Sequence, residues 1–216
     1  DESITLTCDL QEAVGRAEAI IISISSQGLR GFIRRIRECA DVSDKVFVLC
    51  MKGIEVETGE RLSEILADAG ISPEKIAVWV GPGHIQDFTA GIPNCMVIDS
   101  ENDDAKRRLV HAFSSGLIRQ FLFAFLAGDV AYGLAHLGDY ETTLFSRHSH
   151  NRMYGEMLVK GQKFEKLAEG VMTAAAMKKL GEKYGVELPI TDAVYDVCFA
   201  KHPQSVEEWK KLCMDR

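Results

Sequence analysis

The side chains best suited to chemistry lie in Gly133-Leu134-Ala135-His136-Leu137-Gly138-Asp139, then Thr142-Thr143, then Ser149-His150-Asn151-Arg152. Acids, hydroxyls, an amide, imidazoles and a guanidinium crowd around two glycines in a region of otherwise helical composition. A carboxylate such as Asp139 can accept from substrate hydroxyls, while Ser149, Asn151 and Arg152 can donate to a phosphate, so the set suits a polyol phosphate. The same residues also read as a polar loop between helices, and both readings stand at this level. His148 and His150 lack a third ligand at helical or hairpin spacing, so no metal site is expected.

Two further features sit where strands should end. Lys52-Gly53 follows an apolar run, Val46 to Met51, and Gly81-Pro82-Gly83 follows another, Ile76 to Val80. In an open parallel sheet, ligands lie beyond the C-terminal strand ends, so Lys52 would bring an ammonium group there beside a glycine that lets backbone approach closely. The backbone amides of Gly81 and Gly83 could face a phosphate or nucleotide. The plainer readings are a solvated lysine and an ordinary turn.

The elements that would position these groups follow from periodicity. Short β-branched runs alternate with amphipathic stretches over the first hundred residues, the rhythm of βαβ units and a mainly parallel sheet. Ile20 to Ile22 with Ile24 reads as a strand buried on both faces. Leu29, Phe32, Ile33 and Ile36 place one apolar stripe on a helix whose other face carries Arg30, Arg34, Arg35 and Arg37. Strands are expected at Val46 to Met51, Ile76 to Val80 and Cys95 to Ile98, with a helix from an N-cap at Thr58 to Gly70. Beyond Asp103 the β signal fades: Leu109, Val110 and Phe113 suggest a helix, and Leu117 to Val130 is apolar without a period. The expected division is residues 1–113, a partial Rossmann-like cofactor-binding domain, and 114–216, a helical substrate-binding domain. In the second part Ala168 to Tyr184 is a strong helix, Pro189 suits the first turn of another with Val194, Val197, Cys198 and Phe199 as its stripe, and a last helix should start at Ser205.

Composition narrows the class. With 46% hydrophobic and 26% charged residues the chain has a globular makeup, and its net charge of -7 disfavours nucleic acid and anionic membrane surfaces. Lys106-Arg107-Arg108, the densest basic cluster, reads as a solvated helix face. Cys8, Cys39, Cys50, Cys95, Cys198 and Cys213 lack Cys-x-x-Cys pairing and read as reduced, buried thiols of a cytoplasmic protein. Neither a signal peptide nor a membrane span is expected.

In order along the chain, the strand Ile20 to Ile24 with Ser25-Ser26-Gln27, Lys52-Gly53, Gly81-Pro82, the segment ending at Asp139, Ser149 to Arg152, Glu169-Gly170 and Glu187-Leu188-Pro189-Ile190 resemble the NAD(P)-dependent glycerol-3-phosphate dehydrogenases. The resemblance implies a Rossmann-like parallel sheet domain, here incomplete, followed by an all-helical C-terminal domain, with the active site in the cleft between them. It implies NAD or NADP as cofactor and hydride exchange between dihydroxyacetone phosphate and sn-glycerol 3-phosphate, feeding glycerophospholipid synthesis. Carried over by position, it gives Lys52 and Asp139 to catalysis and substrate, Gly81 and Gly83 to a loop over the substrate, and Ile85 and Glu169 to the cofactor. Ser149, His150 and Asn151 align with the family's Ser-Arg-Asn phosphate set. Gly83 replaces the usual Ser and His150 the usual Arg, so the phosphate clamp would need Arg152 or a protonated His150.

The family's Gly-x-Gly-x-x-Gly turn should precede Asp1, and its Lys-Asn pair, whose lysine is the general acid/base, has no match between Arg119 and Gly133. The expectation is that the sequence omits stretches of the complete polypeptide around otherwise retained motifs. The rival readings are a ketopantoate or hydroxyacid reductase of similar architecture and a non-catalytic shortened relative. The expected partner is a small phosphorylated substrate, without nucleic acid or stable membrane association. NAD against NADP preference and oligomeric state stay open, a homodimer among the assemblies allowed.

Overall fold

In the computed structural model, residues 4–81, 85–122 and 139–199 are described, with some side chains in 94–95, 119–122, 139 and 141–142 left aside. The strands are β1 (Ala19–Ile22), β2 (Val46–Leu49), β3 (Ile76–Val80), β4 (Asn94–Ser100) and β5 (Ile118–Leu122). The helices are α1 (Leu10–Arg16), α2 (Leu29–Cys39), α3 (Leu62–Asp68), α4 (Ile85–Thr89), α5 (Asp103–Phe113), α6 (Asp139–Phe145), α7 (His150–Val159), α8 (Glu169–Tyr184) and α9 (Pro189–Phe199). Two compact units emerge, one of Asp1–Met51 with Leu62–Glu141, the other of Lys52–Arg61 with Thr142–Arg216.

The first unit is built on one sheet in the order β1-β2-β3-β4-β5. Pairs β1–β2, β2–β3 and β4–β5 are parallel, while β3–β4 is antiparallel, with Ala77 opposite Ser100 and Val80 opposite Val97. The Ser100 hydroxyl donates to the Ile76 carbonyl at 2.8 Å, pinning that antiparallel pair at one end. Parallel strands need crossovers, and α2 supplies the one from β1 to β2. Its apolar stripe works as periodicity requires: Leu29, Ile33 and Ile36 are buried, and Arg34, Arg35 and Arg37 stay in water. They join Ile20, Ile22, Phe47, Leu49, Ile65 and Leu66 in one core. On the other face Val48, Ala77, Ile98 and Leu109 form a second core, with Trp79 stacked on Phe113 at 4.9 Å between centroids.

Several expectations need correcting. β1 is covered on one face only: Ile20 and Ile22 are buried, while Ile21 is 43% exposed, because β1 lies at the edge and Ile21 stands outside the second core. Thr58 is no N-cap. Its hydroxyl donates to Glu55 and accepts from the Glu60 amide inside a turn, and α3 starts only at Leu62. The β signal does not end at Asp103, since β5 pairs with β4 after the α5 crossover.

Helix α1 was not foreseen. It buries only Val14, too little for periodicity to show, although Asp9, whose carboxylate accepts from the Glu12 amide at 3.0 Å, is a readable cap signal. Nor is Lys106 solvated. Its ammonium lies 3.3 Å from Asp99 and 3.1 Å from Asp103, with Arg107 and Arg108 alone facing water. Burial pulls this group down, but the two carboxylates outweigh it and hold the ammonium above its ordinary range.

The thiols are less buried than expected: Cys8 is exposed, and Cys39, Cys50 and Cys198 are half-buried. Burial still pushes Cys50 up to about 11. Cys213, Gly83 and the helix expected from Ser205 lie outside the described residues, as does the side chain of Cys95. Among the described residues no helix is long and apolar enough to cross a membrane.

The second unit packs differently. Its buried residues among those described are Glu55, Ser149, Ala168, Ala174, Ala176, Gly181 and Ala193, all small or polar. In α9 it is Ala193 that is buried, and Phe199 is exposed, so the expected stripe is replaced by a small-residue contact. α8 ends where Gly185 takes the left-handed conformation (φ 65°) and the Val186 amide returns to the Gly181 carbonyl at 2.9 Å. A Cβ on Gly181 would meet that Val186 carbonyl oxygen at 2.9 Å, so only glycine allows the return. Lys178 of α8 reaches Asp192 of α9 at 3.1 Å, an ion pair that holds its ammonium above the ordinary range.

Candidate active site

In the sheet unit, the loops at the ends of β1 and β3 are compact. After β1 the chain makes one tight helical turn over Ser26–Gly28, with Ser26 buried and accepting from the Gln27 side-chain amide at 3.0 Å. After β3, Gly81 is buried with φ 145°, a conformation that side chains rarely adopt. At the end of β3 Gly81 therefore offers backbone where a larger residue would offer bulk. Ile85 begins α4 and is 77% exposed. Gly83 falls outside the described residues.

Lys52 follows β2 but does not group with the sheet. It is exposed and forms the root of a hairpin, Lys52–Arg61, that belongs to the helical unit. Gly53 beside it has φ 138°. The hairpin closes through an Ile54–Arg61 bridge and through Glu55 N donating to the Glu60 carbonyl at 3.0 Å.

The phosphate candidates are gathered at the start of α7. Ser149 is its N-cap, buried, with its hydroxyl oxygen accepting from the Arg152 amide at 3.3 Å. Next to it, the Asn151 side-chain oxygen accepts from the Gly170 amide at 3.0 Å. The N-cap of α8, Ala168, has no side chain to cap with, so Asn151 does this from the neighbouring helix. Gly170 is what permits it, because a Cβ there would lie 3.0 Å from Asn151 Oδ1.

His150 Nδ1 lies 2.9 Å from the Leu167 carbonyl, which can only accept, so that nitrogen carries the proton and Nε2 remains to act. Phe164 meets His150 and Tyr154 edge-on, with centroids 5.7 and 6.0 Å apart. The Arg152 guanidinium is divided between Glu156 at 2.7 Å and the Phe145 carbonyl at 2.7 Å.

Asn151 and His150 thus reach the residues that open α8, where Glu169 is the first, while Ser149 caps α7 and Arg152 ties it to Phe145. What they offer a phosphate is the Ser149 hydroxyl proton, the Asn151 amide NH2, an Nε2–H donor from His150 in its imidazolium form and the positive end of a helix. Asp139 opens α6, and its side chain lies outside the described part. Sequence reasoning missed the capping roles of Asn151 and Gly170 and the aromatic support of Phe164. Of these, only the uncapped Ala168 before α8 left a trace in the sequence.

Residues 1–106 match the family model for the NAD-dependent glycerol-3-phosphate dehydrogenase N-terminus, and residues 102–208 match the model for its C-terminus. A glycerol-3-phosphate dehydrogenase (NAD(P)+) of Chlorobium phaeobacteroides is 29% identical, the match covering 94% of this chain and 78% of the relative. Another, of Corynebacterium urealyticum, is 28% identical over 92% of this chain and 77% of its own length. The first alignment runs over 261 residues, more than the 216 of this chain, so that relative carries internal stretches without counterpart here. The fold is that of a glycerol-3-phosphate dehydrogenase from Coxiella burnetii, with a TM-score of 0.85 at 19% identity over 95% of this chain and 80% of the other.

Proposed function

The chain belongs to the NAD-dependent glycerol-3-phosphate dehydrogenase family, and from that premise we propose that it interconverts dihydroxyacetone phosphate and sn-glycerol 3-phosphate with NAD(P)H. The supporting observation is the pair of abutting family matches, one to each half, on a fold with a parallel β1-β2-β3 sheet and a separate helical unit. The residues present fit a nicotinamide dinucleotide in the part they build. The tight turn after β1 and the buried, positive-φ Gly81 after β3 leave room for close approach at the strand ends. The chemistry supplied by NAD(P)H when bound is hydride delivery to C2 of the substrate.

The chain's own residues then bind and orient. Lys52 attracts the substrate oxygen at C2 and stabilises the negative charge that grows on it, and Asp139 accepts from the substrate hydroxyls. Ser149, Asn151 and His150, at the N-terminus of α7, receive the phosphate, and Arg152 adds positive charge beside it. Because Arg152 is already engaged with Glu156 and the Phe145 carbonyl, protonated His150, donating through Nε2, is the main replacement for the family's arginine. Gly81 and Gly83 cover the substrate, while Ile85 and Glu169 meet the cofactor. The division of labour gives the cofactor to the part up to residue 113, and the substrate to the part from residue 114 together with Lys52. A cytoplasmic location, supply of the head group for glycerophospholipids and a homodimeric assembly belong to the same proposal.

The test is a rate comparison with purified protein. Oxidation of NADH or NADPH should be fast with dihydroxyacetone phosphate and negligible with ketopantoate and other unphosphorylated keto acids. Comparable rates with the keto acids would assign a different reductase class, and failure of NADH to bind in a fluorescence titration would mark a non-catalytic protein.

A further inference from the structure

The hairpin Lys52–Arg61 follows a strand of the sheet directly, yet it groups with the helices. One contact with those helices is made at its tip. Gly59 has φ 79°, and a Cβ built on it would lie 2.5 Å from Leu180 Cδ2 of α8. The tip thus presses bare backbone onto a leucine, a contact available only to glycine.

The hairpin between tip and root is stiff. The Gly59 amide donates to the Glu55 carbonyl at 2.9 Å, the Thr58 hydroxyl to the Glu55 carboxylate at 2.7 Å, and Ile54 bridges Arg61. Glu55 itself is only 5% exposed, so the turn is packed, not splayed into solvent. A displacement at the tip is therefore carried to the root, where Lys52 is.

We infer that Gly59 and Leu180 are positioning residues for Lys52, keying its hairpin onto the helix that follows the phosphate candidates. α8 begins at Glu169, beside Asn151, and Leu180 lies on the same helix. One rigid element thereby sets both the ammonium and the phosphate-binding turn. For a three-carbon substrate this matters, because a misplacement of about 1 Å at one end can cost on the order of 10²-fold in rate. The inference rests on the reading that Lys52 holds the substrate.

The experiment is steady-state kinetics on the full chain with Leu180→Ala, Gly59→Ala, Lys52→Ala and the Leu180→Ala/Lys52→Ala double variant. Leu180→Ala should raise KM for dihydroxyacetone phosphate roughly tenfold while leaving KM for NADH unchanged, and in the Lys52→Ala background its effect should shrink to about twofold or less. Gly59→Ala, which forces the tip away from Leu180, should show the same selective rise. Equal losses from Leu180→Ala with and without Lys52, or parallel changes in both KM values, would overturn the positioning role. If Lys52→Ala leaves KM for dihydroxyacetone phosphate unchanged, the parent reading of Lys52 fails and takes this inference with it. That result is distinct from intact Lys52 dependence without coupling.

Discussion

The sheet unit and the helical unit are held together by different physics. Around the sheet, Phe47, Ile22, Leu29, Ile36, Leu49, Ile65, Leu66 and Ile98 are almost wholly removed from water, forming two cores on opposite faces. In the helical unit the buried residues among those described are alanines, a glycine, a serine and a glutamate, and α7 is joined to α8 by side-chain to backbone bonds from Asn151 and His150. Burial of large apolar surface gives a unit stability that is non-directional and tolerant of small shifts. Small-residue contacts and capping bonds give a unit whose geometry depends on a few polar atoms. The unit that depends on polar atoms is the one carrying the phosphate candidates.

The largest effect that sharpens this contrast is on stability. Phe47→Ala should cost about 3–5 kcal/mol by urea unfolding, since a fully buried aromatic leaves a cavity. Ala176→Val, at an equally buried site of α8, should cost about 1–3 kcal/mol through overpacking. If Ala176→Val proved the costlier, the helical unit would be the tightly packed one and the comparison would reverse.

A functional contrast comes next. Asp139→Asn should lower turnover on the order of 10²-fold while NADH affinity, followed by fluorescence titration, changes by less than about twofold. Comparable losses in both would take Asp139 away from the substrate.

Much of the sheet unit could be read from the chain alone because its cores are periodic. Ile76–Val80 was foreseen to the residue, and the stripe Leu29, Ile33, Ile36 named its own buried face. Where burial is sparse or signals run together, the reading failed. α1 buries a single valine, and β5 merges with an apolar run in which no turn residue comes before Gly128. Ile21 was misjudged because periodicity reports the pattern of a strand but not whether it lies at an edge.

In the helical unit, α8 and α9 were legible from propensity and from Pro189. The site chemistry was legible only as a concentration of polar residues, and its roles came from the resemblance. That Asn151 caps α8, or that the hairpin after Lys52 joins the helices, depends on tertiary contacts that no local pattern encodes.

The smallest expected effect tests this dual use of polar atoms. Asn151→Ala removes the cap on the Gly170 amide and should cost about 1 kcal/mol in the helical unit. It should also weaken dihydroxyacetone phosphate binding more than binding of unphosphorylated dihydroxyacetone. Asn151→Asp restores the accepting oxygen and should recover stability without recovering phosphate affinity. Recovery of both would make Asn151 purely a capping residue.

The central claim, that Lys52 and Asp139 act on one phosphorylated substrate, is tested most directly by a double-mutant cycle in kcat/KM for dihydroxyacetone phosphate using Lys52→Ala and Asp139→Asn. Two groups on the same substrate should be strongly non-additive, the double variant being little worse than the poorer single one. Losses that simply multiply would contradict the shared site.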